Sequence, residues 1–169
     1  MPEYEVARLS PEHGVRGLSL GAEEFTPLKR FLAKEARNYE NFSLARTYVA
    51  CEQGSSTVRG YVSIVCGEVA AKIETADGVN FPYNYPAIKI ARLAVDARHN
   101  GAGLGRSLVD LAIGIGKEII CPSVGCRFAV VDAKRTSVPF YKKCGFTLLE
   151  TEENRNTEHP LMFLDLLRA

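Results

Sequence analysis

A glycine-rich turn between an apolar strand and an amphipathic helix constrains the fold of this chain most strongly. The apolar stretch Ile90–Val95 ends at Asp96, and Gly101, Gly103 and Gly105 follow it. Apolar residues then recur at three- and four-residue steps, which predicts a buried helix face of Leu108, Leu111, Ala112, Ile115 and Ile119. Glycines let the backbone approach a ligand, and the N–H groups at a helix N-terminus attract anions. The segment therefore predicts a cradle for a phosphate or pyrophosphate group.

The spacing of these glycines excludes two common nucleotide-binding loops. A P-loop requires a glycine, four residues and then Gly-Lys-Ser/Thr, but Asn100 occupies the first position and Arg106 the lysine position. A dinucleotide-binding fingerprint requires a third glycine three residues after the second, where this chain has Arg106 or Leu108. The cradle therefore belongs to another class of phosphate-binding site.

The segment Asn100–Gly105 resembles the acetyl-CoA loop of the GNAT acetyltransferases, which runs Gln/Arg-x-x-Gly-x-Gly/Ala. Gly103 and Gly105 match the paired glycines, and Leu108 falls at the family's usual place on the helix. Asn100 stands where the family usually has Gln or Arg, which departs from the pattern at the side chain but not at the backbone cradle. A second register, Arg98–Gly103, fits the same formula but leaves Leu108 out of place.

A second motif follows at the distance that this family requires. Arg127–Asp132 is a short apolar stretch that predicts a strand. The segment Ala133–Phe146 after it resembles the GNAT ending Ala-x₆-Phe-Tyr-x-x-x-Gly-Phe, with Phe140 and Tyr141 as its aromatic pair. The two motifs lie within residues 86–147, and the second makes the first specific.

The resemblance implies an enzyme that moves an acetyl group from acetyl-CoA to a primary amine by direct attack. It implies that the pantetheine arm lies as an extra strand beside Leu93–Val95 and that Tyr141 protonates the departing thiolate. The alternative for Tyr141 is a packing role beside Phe140. The implied cofactor-binding residues are Leu93, Ala94, Val95, Asn100, Gly101, Ala102, Gly103, Leu104, Gly105, Arg106, Ser107, Phe140 and Lys143. No metal is expected, because the Cys and His residues lack the spacing of metal ligands.

The order of the predicted elements, β-α-β-β-β-α-β-α-β-β, indicates an α/β domain with a mixed sheet. The resemblance implies one GNAT domain over residues 1–169, with a largely antiparallel twisted sheet of six or seven strands flanked by helices. Strands are expected at Tyr4–Leu9, Arg46–Glu52, Val58–Ala70, Ala87–Val95, 127–132, 146–151 and 161–166. A helix is expected along Phe25, Leu28, Leu32, Ala36 and Tyr39, another after the cradle and a short one at 136–143. Thr75–Tyr85 is expected to be a loop.

Composition and charge narrow the possible partners. The 169 residues are 46% hydrophobic and 24% charged with a formal net charge of +1, which is typical of a globular domain. No apolar run reaches the roughly 18 residues of a membrane-spanning helix, and the N-terminus lacks the pattern of a signal peptide. We therefore expect a cytoplasmic protein with no membrane partner. The five cysteines lack paired spacing and are expected to be reduced, mostly buried thiols.

The acceptor amine stays open at this level, because a fold does not define a substrate. The main hypothesis is an amine of a small molecule, peptide or protein. The alternative is the toxin of a toxin–antitoxin pair, with tRNA and a DNA-binding antitoxin as partners. It follows from a looser resemblance to GNAT toxins that acetylate the amino group of aminoacyl-tRNA, carried by Leu18–Gly21, Ala45–Val49, Ala91–Asp96, Phe140–Phe146 and Pro160–Phe163. A hypothesis of another class is a non-catalytic acyl-CoA-binding sensor.

Two features count against the toxin hypothesis. Ala102 stands where such toxins commonly have a basic residue, and a pI near 7.6 is low for a protein that binds tRNA phosphates. A local basic rim remains available in Arg92, Arg98, Arg106, Lys134, Arg135, Lys142 and Lys143. Glu68 is either a general base or a solvated carboxylate at a strand end. A homodimer is a further open partner, since GNAT proteins are often dimers.

Overall fold

The computed structural model describes residues 3–70, 73, 78 and 84–169. Its strands are β1 (Tyr4–Arg8), β2 (Arg46–Glu52), β3 (Val58–Val69), β4 (Tyr85–Val95), β5 (Phe128–Asp132), β6 (Thr147–Leu148) and β7 (Leu161–Asp165). They form a seven-stranded sheet in the order β1-β2-β3-β4-β5-β7-β6. Strands β4 and β5 pair in parallel, whereas the described β1–β2, β2–β3, β5–β7 and β6–β7 pairs are antiparallel. The expected mixed, largely antiparallel sheet is confirmed.

The helices include two π-helical segments. Helices α1 (Thr26–Arg30) and α2 (Ala36–Asn41) are joined by a π-helical segment, Phe31–Glu35. Helix α3 (Leu104–Ile115) continues through the π-helical segment Gly116–Ile120 into α4 (Cys121–Ser123). Two short helices, α5 (Val138–Lys143) and α6 (Glu152–Asn156), follow β5 and β6. Helices α1 and α5 have a proline in the first turn, where its missing N–H group costs no hydrogen bond.

The chain forms two compact units, of which the first comprises Met1–Val65 and Ala91–Asp110. Its core brings the helical run α1–α2 against the sheet. Phe31 is 2% exposed and stacks on Tyr61 at a ring-centre distance of 6.3 Å, while Tyr39 meets Phe31 edge-on at 5.1 Å. The Tyr61 hydroxyl donates a hydrogen bond to the Leu28 carbonyl at 2.7 Å, which satisfies this buried polar group.

The second unit comprises Cys66–Ile90 and Leu111–Ala169. Its core is centred on Phe128, which is fully buried and meets Tyr85 and Phe163 edge-on at 5.2 and 5.7 Å. The buried Asn154 side chain accepts a hydrogen bond from the Leu161 N–H and donates to carbonyl groups on both sides of α6. These bonds attach the short helix α6 to β7.

Most of the predicted elements are present, with three differences. The prediction that Ile119 belongs to the buried helix face is wrong, because this residue is 59% exposed. The π-helical segment adds residues to the turn and so rotates Ile119 away from the face of Leu108 and Ala112. Helix α6 was not predicted, and β6 is shorter than expected. The predicted loop Thr75–Tyr85 lies outside the described residues except at positions 78, 84 and 85, the last of which begins β4.

The described residues include no helix that is long and apolar enough to span a membrane. They also include no group of three or more His, Cys, Asp or Glu side chains arranged to hold a metal ion. The five cysteines, all of them among the described residues, form no disulfide bond: Cys51 and Cys144 are buried, Cys121 and Cys126 half-buried, and Cys66 exposed.

Two glycines of the α3 region are expected to respond oppositely to alanine. A Cβ atom at Gly114 would meet nothing within 4 Å, so Gly114→Ala should stabilise the protein by about 0.5–1 kcal/mol through its higher helix propensity. A Cβ atom at Gly116 would lie 2.7 Å from Ile88 Cδ1, so Gly116→Ala should destabilise it by about 1–3 kcal/mol. Urea unfolding of both variants measures the difference, and equal midpoints would contradict the packing of Gly116.

Candidate active site

The glycine-rich turn has the backbone shape of an open cradle. A 3₁₀ turn, Ala97–His99, leads from β4 to Gly101 and Gly103, whose φ angles are +82° and +80°. This left-handed region is readily adopted only by glycine. A Cβ atom on either residue would meet nothing within 4 Å, so the space above them is free. Gly105 lies within α3, so the two left-handed glycines are those directly before the helix.

The cradle is anchored by Asp96, the last residue before the 3₁₀ turn. Its carboxylate is fully buried and accepts hydrogen bonds from the backbone N–H groups of Ser19 and Arg98 at 3.1 and 3.0 Å. The Arg98 guanidinium donates to the same carboxylate at 2.8 and 2.7 Å and to the Gly17 carbonyl at 3.0 Å. The Arg98 hydrogen bonds hold the pKa of Asp96 well below its usual range. Arg98 therefore helps to fix the turn in place through its hydrogen bonds to Asp96 and Gly17.

The His99 side chain contacts one residue of β1 and one of β2. Its Nδ1 lies 2.7 Å from the Tyr4 hydroxyl and its Nε2 lies 3.4 Å from a Glu52 carboxylate oxygen. Arg59 donates to the same Glu52 oxygen at 2.9 Å. These contacts give His99 a structural role beside the cradle.

The first turn of α3 presents its backbone to the cradle and its larger side chain to the core. Leu104 is 3% exposed and packs against Gly60, where a Cβ atom would lie 3.2 Å from Leu104 Cδ2. The Ser107 hydroxyl donates to the Gly103 carbonyl at 3.3 Å, and Arg106 pairs with Asp110 at 3.1 Å on the exposed face. The first N–H groups of a helix have no intrahelical partner. This turn can therefore offer N–H donors to an anion.

Strand β4 has a free edge next to the cradle. Its parallel pairing with β5 covers Ala87–Ile90 opposite Phe128–Val131. Residues 91–95 continue β4 beyond that pairing, so their N–H and C=O groups on this edge have no strand partner in the described part of the chain. An unpaired strand edge can accept an extended ligand as an additional strand.

A cavity of about 180 Å³ lies beside this edge within the first unit. Its lining includes four of the predicted cofactor-binding residues and three apolar residues that precede or belong to α1: Leu93, Ala94, Val95, Asn100, Leu20, Phe25 and Leu28. The structure therefore brings Leu93–Val95 and Asn100 together at one cavity. The left-handed glycines, the free edge and the cavity fit the pyrophosphate and pantetheine parts of a coenzyme A thioester.

Tyr141 lies in the second unit, on α5. Its side chain is 6% exposed and meets Phe140 and Phe146 edge-on at 5.0 and 5.7 Å. Burial raises the pKa of its phenol, so the hydroxyl remains protonated at neutral pH. None of the described residues takes a hydrogen bond from this hydroxyl. Such a phenol is suited to donate a proton, and the same aromatic contacts also give it a packing role.

The remaining candidate side chains differ in how they are engaged. Phe140 is half-buried, Lys143 is exposed in the last turn of α5, and Ala102 is half-buried in the cradle. Glu68 is exposed and accepts a hydrogen bond from the Asn84 amide at 2.9 Å, which favours a solvated strand-end role. In the predicted basic rim, Arg135 donates to the carbonyl groups of Arg155 and Thr157.

Two contributions to this region were not anticipated from the sequence. The anchor at Asp96 depends on Ser19, which is distant in the chain, although an Asp before Ala-Arg-His has the pattern of a capping residue. The second is the wall of the cavity formed by Leu20, Phe25 and Leu28. The sequence pattern placed Phe25 and Leu28 only on one face of a helix and gave Leu20 no part in the cavity.

Comparison with known proteins assigns the class. The Acetyltransferase (GNAT) domain family matches residues 43–148. A tRNA-acetylating toxin of Mycobacterium tuberculosis is 31% identical over 147 residues, which are 86% of this chain and 85% of that protein. The chain belongs to the GNAT acetyltransferases, and it is an enzyme that uses acetyl-CoA. Because the chain is such an enzyme, the hypothesis of a non-catalytic acyl-CoA-binding sensor is not supported.

Solved structures share the fold over almost the whole chain. AtaT complexed with acetyl-methionyl-tRNAfMet has a TM-score of 0.83 at 22% identity, covering 98% of this chain and 96% of that one. A mutant AtaT toxin bound to acetyl-CoA and the C-terminus of the antitoxin AtaR has a TM-score of 0.77 at 22% identity, covering 98% and 94%. At this identity the likeness concerns the fold.

The cradle predicts a specific effect of Gly103→Val. A β-branched residue disfavours the φ of +80°, at a cost of about 1–2 kcal/mol, and its side chain would fill the free space above the turn. We expect the dissociation constant of acetyl-CoA, measured by calorimetry, to rise by about tenfold or more. Gly54→Val is the matched control, because Gly54 has a φ of +75° and equally free space in the β2–β3 hairpin. Equal acetyl-CoA affinity in both variants would contradict the cradle.

Proposed function

We propose that this protein transfers the acetyl group of acetyl-CoA to the α-amino group of an aminoacyl-tRNA and is the toxin of a toxin–antitoxin pair. The observation that carries this proposal is the relative described as a tRNA-acetylating toxin, because the similarity extends over 85% of that protein's length. The AtaT structures with acetyl-methionyl-tRNAfMet and with an antitoxin support it at the level of the fold. These findings favour aminoacyl-tRNA over a generic amine or peptide acceptor.

Binding of acetyl-CoA in this proposal depends mainly on backbone groups of the cradle and of strand β4. The N–H groups of the cradle and of the first turn of α3 hold the pyrophosphate, and the free edge at Leu93–Val95 holds the pantetheine arm. Residues Asn100–Ser107 provide the cradle, with Leu104 and Gly105 acting through their backbone. Phe140 and Lys143 contribute from α5 to binding of the same molecule. Backbone N–H groups of β4 also polarise the thioester oxygen.

Tyr141 is the acid in this proposal. Acetyl-CoA provides an activated acyl group, whose carbon–sulfur bond breaks as the bond to the acceptor nitrogen forms. Tyr141 donates its phenolic proton to the departing sulfur, which leaves as the thiol of coenzyme A, and its raised pKa keeps that proton available across the neutral range. The acceptor nitrogen releases a proton to solvent as the amide forms, and the Tyr141 phenolate takes up a proton from solvent. The family motif that ends at Phe146 supports this role for Tyr141.

The experiment that tests the proposal uses purified protein with acetyl-CoA labelled in the acetyl group. One set of reactions contains tRNAs charged with single amino acids, and the other contains polyamines, free amino acids and peptides. We expect label on the aminoacyl group of charged tRNA and none on uncharged tRNA. Label on a small amine or peptide, with charged tRNA unmodified, would replace the proposal by the generic acetyltransferase.

A further inference from the structure

Arg92 stands out among the basic residues because it rests on aromatic rings. It lies on β4 directly before the cavity residue Leu93. Its guanidinium carbon is 3.7 Å from the centre of the Phe31 ring and 5.6 Å from that of Tyr39. Phe31 is itself buried, so the arginine covers the outer face of this aromatic core. The contact holds the guanidinium group in one place.

The guanidinium group of Arg92 has no acidic partner among the described residues. No carboxylate of that part of the chain lies within ion-pair distance of it, and no described group accepts its hydrogen bonds. Arg98 and Arg106, by contrast, bind Asp96 and Asp110. A half-buried guanidinium with five unused donors is suited to bind an anion, above all the oxygens of a phosphate group.

The position of Arg92 relates it to the cavity. Arg92 and Ala94 are two residues apart on one strand, so their side chains share a face and are separated by about 7 Å. Ala94 lines the cavity and belongs to the same buried cluster as Phe31. Leu28, one helical turn before Phe31, also lines the cavity. The unpaired charge is therefore next to the cavity, on the side of α1.

We propose that Arg92 binds the 3′-terminal phosphodiester of the aminoacyl-tRNA and thereby positions the aminoacyl group; this inference rests on the proposed function. In that substrate the amino acid is esterified to the terminal ribose, and the nearest phosphate is on the other side of the same ribose. When the amine of this substrate lies at the cavity, the nearest phosphate is therefore only one nucleoside away from the cavity. The aromatic support favours arginine over lysine, because a planar guanidinium can stack and bind phosphate through two donors.

The test compares Arg92→Met and Arg92→Lys in the full chain. Both substitutions keep an aliphatic side chain over Phe31, so both variants are expected to fold. We expect Arg92→Met to raise KM for charged tRNA by about tenfold, with a much smaller change in kcat. The slope of log KM against log salt concentration should become shallower by about 0.7, the value for one contact to single-stranded nucleic acid. Arg92→Lys should retain the slope and show a smaller rise in KM.

Arg30→Met is the matched control, because Arg30 is exposed on α1, and it should leave KM and the salt slope at wild-type values. A wild-type KM and slope in Arg92→Met would overturn the inference. So would a lowered melting temperature with an unchanged slope, since that result assigns Arg92 to packing alone. A wild-type protein that acetylates no charged tRNA would overturn the proposed function and this inference with it. Wild-type acetylation with an unaffected Arg92→Met variant would overturn the inference alone.

Discussion

Tyr141→Phe is expected to lower kcat by about 10²- to 10³-fold while acetyl-CoA binds with nearly unchanged affinity. The substitution removes one oxygen from a ring that packs between Phe140 and Phe146, so the aromatic contacts are retained. The proton for the departing thiolate is lost, because phenylalanine has no acidic group. The measurements are single-turnover kinetics with labelled acetyl-CoA and calorimetry of acetyl-CoA binding.

The pH dependence gives a second view of Tyr141. Burial raises the pKa of the phenol, so the acid stays protonated beyond the ordinary tyrosine value of about 10. Loss of this proton should therefore not lower kcat between pH 7 and about pH 10. The lower kcat of Tyr141→Phe should persist over that whole range.

Tyr48→Phe is the matched control for the loss of a phenolic hydroxyl, because Tyr48 lies on β2 outside the proposed site. Its kcat should equal that of the wild type. Wild-type kcat in Tyr141→Phe would assign Tyr141 to packing. Loss of acetyl-CoA affinity equal to the loss of kcat would indicate a binding role instead of proton donation.

Asp96→Asn is expected to lower the free energy of unfolding by about 2–3 kcal/mol and to weaken acetyl-CoA binding by about tenfold or more. The buried carboxylate accepts bonds from the Ser19 and Arg98 backbone, and one amide oxygen cannot replace two charged oxygens. The expected loss of stability is smaller than that for breaking a fully buried ion pair. The Arg98 side chain is 59% exposed, so water can hydrate its guanidinium group once the charge of Asp96 is removed. Urea unfolding and calorimetry measure the two effects.

The stabilisation by Asp96 should depend on pH in one direction. Folding lowers the pKa of this carboxyl group, so its contribution is complete above the unfolded value of about 3.9 and is lost as the pH falls below it. The difference in unfolding free energy between wild type and Asp96→Asn should be constant near neutral pH and shrink below about pH 4.

Asp110→Asn is the comparison, because the Asp110 side chain is 53% exposed. This substitution should lower the free energy of unfolding by less than about 0.5 kcal/mol. A stability loss in Asp96→Asn as small as that of Asp110→Asn would contradict the anchor. An unchanged acetyl-CoA affinity in a destabilised Asp96→Asn protein would separate the anchor from the cradle.

Local patterns in the sequence predicted most elements of the fold. The glycines before α3, the proline in the first turn of α1 and the alternating residues of β2 act through the backbone of a few neighbouring residues. Helix α6 escaped prediction because Glu152–Asn156 has no apolar periodicity. It is stabilised by the Thr151 side chain, which accepts from the Asn154 N–H, and by tertiary bonds of the Asn154 amide.

The residues that support the cradle are distant in the chain. Ser19 and Asp96 are separated by 77 positions, and Tyr4 and His99 by 95. No spacing within the chain indicates such a pair, because hydrogen bonds at these separations form only once the strands have paired. The same holds for Arg92, whose place on Phe31 depends on how the α1–α2 run packs against the sheet.

The sequence by itself determined the class of this protein, because its two motifs specify backbone conformations and residue types that a short segment carries alone. The tertiary structure decided which side chains are free to act. In the folded protein Arg98 is paired with Asp96, whereas Arg92 has no acidic partner among the described residues. Folding also places Leu20, Phe25 and Leu28 on the wall of the cavity. The reason is physical: the charge and exposure of a side chain are set by the neighbours that folding brings to it.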